Sequence, residues 1–318
     1  VRTFLVAIVG FALFSVLYLF NAGTFLVDKH VLDMTATTAV FAALAYLVAG
    51  WLVYDAICRV FGDKPGGDRV VGVLVTLYVV AAVWVACHVF SGRAAFLMTG
   101  ASLATVMSAN VLFWIIPGQR KMVAAMRAGQ SPDPIHGKRG KQRSVHNTYF
   151  TLPVIFAMLS NHYSMTYSAG NNWLVLLLIM LAGVLIRQFF VLRHKGVFKW
   201  RYPAAAIVIL AGVAFWIVPK AALQPAPATQ GAAVVSFAQV QHVIETRCIQ
   251  CHAAKPTLMP VPGKGILLDS RDGVLQHAPQ IYQQAVVQKA MPLGNMTNIT
   301  DDERALLGKW FEAGAKGE

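Results

Sequence analysis

Seven stretches of this chain are apolar for about the length that crosses a bilayer, roughly 20 residues each. They are 3–20 ("TFLVAIVGFALFSVLYLF"), 37–60, 70–90, 94–116, 147–166, 172–192 and 203–219. In hydrocarbon no water is present to satisfy backbone N–H and C=O groups, so such segments must satisfy their own, as helices do. The expected fold is therefore all-α, with a polytopic transmembrane bundle of about seven helices over 1–220. The fifth segment is the least apolar, because "LSNHYSMTYS" closes it.

Charge sorts the chain into two unlike parts. Residues 1–220 hold 19 Lys/Arg and 6 Asp/Glu, whereas 221–318 hold 8 of each. The basic excess thus belongs to the apolar part, which points to membrane topology rather than to nucleic acid. The seven cations of 117–146 (Arg120, Lys121, Arg127, Lys138, Arg139, Lys141 and Arg143) and the four of 193–202 mark two cytoplasmic loops. The loops expected opposite, 21–36, 91–93 and 167–171, carry only Lys29 and Arg93. An odd number of spans then puts the C-terminus outside the cytoplasm.

The C-terminal residues support that side. "AALQPAPATQG" opens a Pro/Ala-rich tether, 221–233, and a small helical domain follows over 234–318. Phe237, Val240 and Ile244 recur at helical spacing. Thr300 and Glu303 form a capping box before Leu306, Leu307, Trp310 and Phe311. Between them stands "TRCIQCH", in which Cys248, Cys251 and His252 have the spacing of a c-type haem clip. A zinc half-site would need a second cysteine pair, which this domain lacks, and a redox dithiol would leave His252 unexplained. The expected domain is class I-like cytochrome c, with two thioethers at Cys248 and Cys251 and His252 as an axial iron ligand.

A Met as the other axial ligand suits an electron carrier, because it raises the potential. Met291, which precedes Pro292, is preferred over Met296, and Met259 lies too close after His252. His242 and His277 are expected at the surface. Haem attachment of this kind occurs outside the bacterial cytoplasm, so the domain is expected in the periplasm and the bundle in the inner membrane.

A haem with both axial positions filled moves electrons without binding substrate, so substrate chemistry is expected in the bundle. Ionisable groups inside membranes are functional candidates. Near the cytoplasmic face lie Tyr54, Asp55, Asn110, Arg187 and Gln188, with His146 and Asn147 read as the start of the fifth helix. Asp55 and Arg187 could pair, either as a structural ion bridge or as part of a functional site. Near the opposite face lie His88, Asn161 and His162, a candidate second-haem or substrate site. Cys58 and Cys87 read as inert buried thiols, and Trp51, Trp84, Trp114 and Tyr78 as packing aromatics.

Four segments carry a resemblance: "VLYLFNAGTFLVD", "WLVYDAICR", "SANVLFWIIPGQRKMVAAMRAGQSPD" and "GKRGKQRSVHNTYFTLPVIFAMLSNHY". Together they resemble the bacterial membrane-bound urate oxidases, which fuse an integral membrane domain to a C-terminal cytochrome c. The central motif matches at His146, Asn147, Thr148, Tyr149, Phe150, Pro153, Ser160, Asn161 and His162. The resemblance implies a further helix bearing a His upstream of Val1, so upstream sequence is expected.

It also implies oxidation of urate to 5-hydroxyisourate, with electrons leaving through the haem to a respiratory acceptor such as a soluble cytochrome c or a terminal oxidase. Urate is an anion at neutral pH, so Arg187 is the expected clamp and Asp55 or His146 the base. A hydrocarbon layer of about 30 Å would separate a cytoplasmic-side site from a periplasmic haem. Either urate binds near Asn161 and His162, or a b-type haem on His88, His162 or an upstream His bridges the gap. Two other classes compete: a quinol- or terminal-oxidase-type electron-transfer subunit, and a non-catalytic membrane-anchored cytochrome c. An anchor alone has no need of Arg187 or Asp55 in its helices.

Overall fold

The structure, a computed structural model, describes residues 2–217 and 235–317. The tether expected at 221–233 lies outside the described residues. Every regular element among the described residues is helical. The chain divides into two compact units, a larger one ending at Ile217 and a smaller C-terminal one.

The larger unit contains α1 (Arg2–Phe14), α2 (Ala36–Phe61), α3 (Gly67–Val89), α4 (Gly92–Ala109), α5 (Ile116–Arg127), α6 (Pro134–Leu159), α7 (Asn172–Arg193) and α8 (Arg201–Ile217). A wide π turn, Ser15–Leu19, extends α1, and another, Asn110–Ile115, joins α4 to α5. Pro117, at the start of α5, has no N–H to offer the preceding turn, which accounts for the widening there. Each of the seven apolar stretches is largely helical over its described residues, the fifth being broken at Tyr163. Four helical spans are long and apolar enough to cross a membrane: α2, α3, the continuous run from Gly92 to Arg127, and α7. Apolar side chains face outward, Phe20, Phe41, Val73, Phe113, Val208 and Phe215 among them. A water-soluble domain rarely exposes so much apolar surface, whereas lipid is its natural solvent.

One boundary differs from the sequence reading. The fifth helix does not begin at His146 but at Pro134, capped by Asp133, whose carboxylate accepts from Ile135 N at 2.9 Å. An Asp cap followed by Pro at the first helical position is a strong start signal. The loop expected at 117–146 is therefore mostly helical, and Arg143, His146 and Asn147 share one helical face.

Small residues let these helices close. A Cβ on Gly50 of α2 would sit 2.3 Å from Ser102 Oγ and 2.9 Å from Tyr78 Oη. One on Gly100 of α4 would sit 2.8 Å from Ala157 Cβ on α6. At the opposite end of α4 the backbone is pinned, because Ser91 donates through Oγ to Phe25 O at 2.6 Å and through its N–H to Leu26 O at 2.9 Å.

The smaller unit is organised by its first and last long helices, α9 (Phe237–Arg247) and α12 (Asp301–Glu312), with α10 (Ile249–His252) and α11 (Arg271–Gln276) between them. Both long helices start with a complete capping box, Ser236 with Gln239 and Thr300 with Glu303. Phe237, Val240, Ile244, Leu307 and Trp310 are buried in one core, with Leu306 and Phe311 packed against it. Arg247 ties α9 to α12 by pairing with Glu303 at 3.1 Å.

Gly100→Val should force α4 from α6 and destabilise the bundle by about 1–3 kcal/mol. Gly72→Val, where nothing lies within 4 Å, should cause no comparable loss. Thermal unfolding in detergent compares the two.

Candidate functional site

A buried polar network crosses the larger unit where α2, α6 and the π turn converge. Its anchor is Asp55, only 5% exposed. Asp55 Oδ1 accepts from Arg143 Nη2 at 2.9 Å and from Trp114 Nε1 at 2.8 Å, and Oδ2 accepts from Arg59 Nε at 2.5 Å. The Asp55–Arg187 pair does not form. The carboxylate instead meets Arg143, which the α6 helix carries one turn before His146 and Asn147. Two guanidinium groups and an indole N–H already bond to this carboxylate.

From Arg143 the network runs on through amides. Arg143 Nη1 donates to Asn110 Oδ1 at 3.1 Å. Because an arginine only donates, this contact fixes the Asn110 amide. Its Nδ2 then donates to Tyr54 Oη at 3.0 Å and to Asn147 Oδ1 at 2.9 Å. Asn147 in turn donates from Nδ2 to Met107 O at 3.0 Å. The Tyr54 hydroxyl, already an acceptor, has its own proton for His146 Nδ1, 2.8 Å away. In that arrangement the His146 ring carries its proton on Nε2. The Arg143 guanidinium also lies 4.6 Å from the Trp114 ring centroid and 5.2 Å from that of Tyr54.

Arg187, on α7, lies elsewhere. Its Nε is buried and without a hydrogen-bond partner among the described residues. Beside it, Gln188 accepts from the Tyr149 hydroxyl, which α6 carries three residues after His146. A buried guanidinium N–H left open is a site for an anion to fill.

The His88–His162 clamp is not assembled. His88 stacks on Trp84 with centroids 4.2 Å apart, and its Nδ1 contacts Trp84 O at 2.7 Å. His162 is exposed, and among the described residues no hydrogen bond or ring contact joins the two. Asn161 instead accepts from Arg93 Nε at 3.3 Å and donates to Tyr18 Oη at 2.9 Å. The thiols of Cys58 and Cys87 are free and buried, as expected.

Sequence reasoning passes over three members of the network, Arg59, Arg143 and Trp114. Arg143 was one of seven loop cations, and Trp114 an ordinary packing aromatic. The Asp133–Pro134 helix start was the available signal for Arg143. Nothing in the sequence marked Trp114, since the π turn that aims its indole is a backbone effect.

In the smaller unit, Cys248 directly precedes α10, which carries Cys251 and His252, and both thiols are free and half-buried. Burial pushes the Cys248 thiol up to about 12 and also raises Cys251. Both are protonated at neutral pH, unlike a redox dithiol that needs a thiolate. His252 Nδ1 faces Ile266 O at 3.3 Å, and Gly263 lies so close that an added Cβ would sit 2.9 Å from His252 Cε1. With Nδ1–H directed at a carbonyl, the lone pair of Nε2 is left to bind a metal. Met291 and Met296 are both half-buried. His277 differs from expectation, since its Nδ1 is buried without a partner among the described residues.

The sequence model of a family described as Urate oxidase N-terminal matches residues 2–218. The match ends beside the last residue of α8, so the clip lies beyond it. No curated protein and no solved structure matches the chain.

Asp55→Leu leaves Arg143 buried without its carboxylate and should cost about 3–5 kcal/mol. Arg59→Gln removes a partner whose side chain is 61% exposed and should cost below about 1 kcal/mol. Unfolding in detergent measures both losses.

Proposed function

The chain belongs to the urate oxidase N-terminal family, and on that premise we propose that its larger unit oxidises urate to 5-hydroxyisourate while its smaller unit passes the electrons on. The observation that carries this reading is the family match over residues 2–218. The buried network ending on His146 and the open Arg187 supply suitable chemistry inside that span.

Arg187 orients the urate anion through a charge-assisted hydrogen bond to its unpartnered Nε. His146 stands at the end of a chain of donors and offers Nε2–H to a urate oxygen. It accepts a proton at Nε2 only in the other tautomer. Nδ1–H then donates to Tyr54, and Tyr54 turns its proton toward Cys58, which lies within its hydrogen-bonding reach. Asp55 is a positioning residue in this scheme, holding Arg143 and through it Asn110 and Tyr54. Urate and one water yield 5-hydroxyisourate with release of two electrons and two protons.

The residues of the smaller unit fit a covalent c-type haem: two neutral thiols for thioethers, and a histidine whose Nδ1 is already committed. Cys248 and Cys251 would hold it through thioethers, and His252 and Met291 would bind its iron. Bound there, it would supply one-electron chemistry between the urate site and a respiratory acceptor, a soluble cytochrome c or a terminal oxidase. The cation distribution supports an inner-membrane bundle of seven spans with its C-terminus in the periplasm.

Urate should reduce the haem of the purified full chain, as followed by its visible spectrum; a fully loaded haem that urate leaves oxidised would sink the proposal. Arg187→Leu should weaken urate binding by about 1.5–3 kcal/mol in calorimetry, the worth of a charge-assisted hydrogen bond. His252→Ala should abolish a normal low-spin haem spectrum. Met291→Ala should leave the haem attached, with a lowered potential.

A further inference from the structure

The last helix of the smaller unit buries a cation that makes no direct ion pair among the described residues. Arg304, in the first turns of α12, is 6% exposed. The ion pairs of this unit join Arg247 to Glu303 and Lys289 to Asp301 and leave Arg304 out. Asp301 and Glu303 on the same helix act on it only through space, and burying a guanidinium is costly, so its direct contacts matter. Its Nη1 donates to two carbonyls, those of Ala285 and Met291, the second at 2.8 Å.

These contacts converge on one short segment. The Met291 N–H donates to Gln284 O at 3.0 Å, so the backbone of Met291 is held on both sides. Lys289, two residues earlier, reaches Asp301 at the start of α12 at 2.8 Å. The same guanidinium lies within electrostatic reach of Cys248. Arg304 therefore touches the segment that carries Met291 and acts electrostatically on Cys248 of the clip. The neighbouring segment has a different tie, in which Thr297 and Arg247 exchange hydrogen bonds at 2.9 and 2.6 Å. The two methionines are thus presented by separately anchored pieces of chain.

We propose that Arg304 is the positioning residue of the haem's methionine side: it fixes Met291 relative to the Cys248–Cys251–His252 clip, and its buried charge raises the potential of the group held there. The inference rests on the haem reading of this unit. The physical reason is twofold. A thioether is a weak ligand, so its occupancy depends on how firmly its backbone is held. A nearby buried positive charge favours the electron-rich, reduced state.

The test uses the full chain in detergent with haem attached, and compares wild type with Arg304→Met, Arg304→Lys and Met291→Ala. Covalent haem is checked by intact mass, and fold by far-ultraviolet circular dichroism. Midpoint potential and the red charge-transfer band of methionine-ligated ferric haem are the deciding readouts. Arg304→Met should keep the covalent haem, lose the band and fall in potential toward Met291→Ala. Arg304→Lys should weaken the band with a smaller fall, because the charge stays while one ammonium cannot span both carbonyls. Wild-type band and potential in Arg304→Met, even with a lowered melting temperature, would overturn the proposal. If Arg304→Met does not accumulate, an unchanged band in Arg304→Lys overturns it instead. A wild-type spectrum without the band, or a band that survives in Met291→Ala, refutes the ligand assignment and is told apart by the Met291→Ala arm.

Discussion

A carboxylate inside an apolar bundle has to be answered by donors, and the geometry of the larger unit follows from how Asp55 is answered. Its three donors come from α2, from the π turn and from α6. Each must reach the same two oxygens, so the three elements cannot slide or rotate independently. Glycines at 50 and 100 allow the close approach that this demands. Once Arg143 is held, Asn110 has only one amide orientation, and Tyr54 and Asn147 are placed by it. One ionic requirement is thereby passed along neutral hydrogen bonds until it reaches an imidazole. In a low-dielectric interior such a chain is rigid, because any member that turns away is left unsatisfied.

The two units divide the chemistry by what each can hold. Among the described residues no group of three His, Cys, Asp or Glu side chains stands ready for a bare metal ion. The larger unit offers hydrogen-bond donors and cations for an anion. The smaller one offers two thiols and an imidazole close in sequence. Oxidising a two-electron substrate against a one-electron carrier suits such a separation. Substrate contacts need polar shape, whereas the carrier needs tight, charge-tuned burial of a single group.

Much of this was legible in the sequence, and the rest was hidden for identifiable reasons. Length and apolarity located the helical segments, because in lipid the backbone leaves no cheaper option. The capping box at Thr300 and the apolar face of the last helix were readable, since both depend on near neighbours. The candidate bond between Asp55 and Arg187 does not form. Both lie toward the same face by span counting, but depth alone cannot choose between cations. The choice fell to Arg143 because α6 begins at the Asp133 cap, thirteen residues before His146, and so carries Arg143 into the bundle as a helical residue. The role of Trp114 depends on a widened turn, which no side-chain pattern announces. His277 was judged from polarity alone, which says nothing about whether a neighbour will cover it.

Arg59 shows that a residue of little worth to the finished protein can still matter to its making. It lies one turn from Asp55 on the same helix, whereas Trp114 follows 59 residues later and Arg143 later still. Synthesis from the N-terminal end delivers α2 before α6 has been made. During that interval Asp55 has a single counter-ion within reach, and Arg59 travels with it. Helix α2 thus carries a neutral dipole rather than a bare anion among its apolar residues, and the acid is kept until the later helix arrives to claim it.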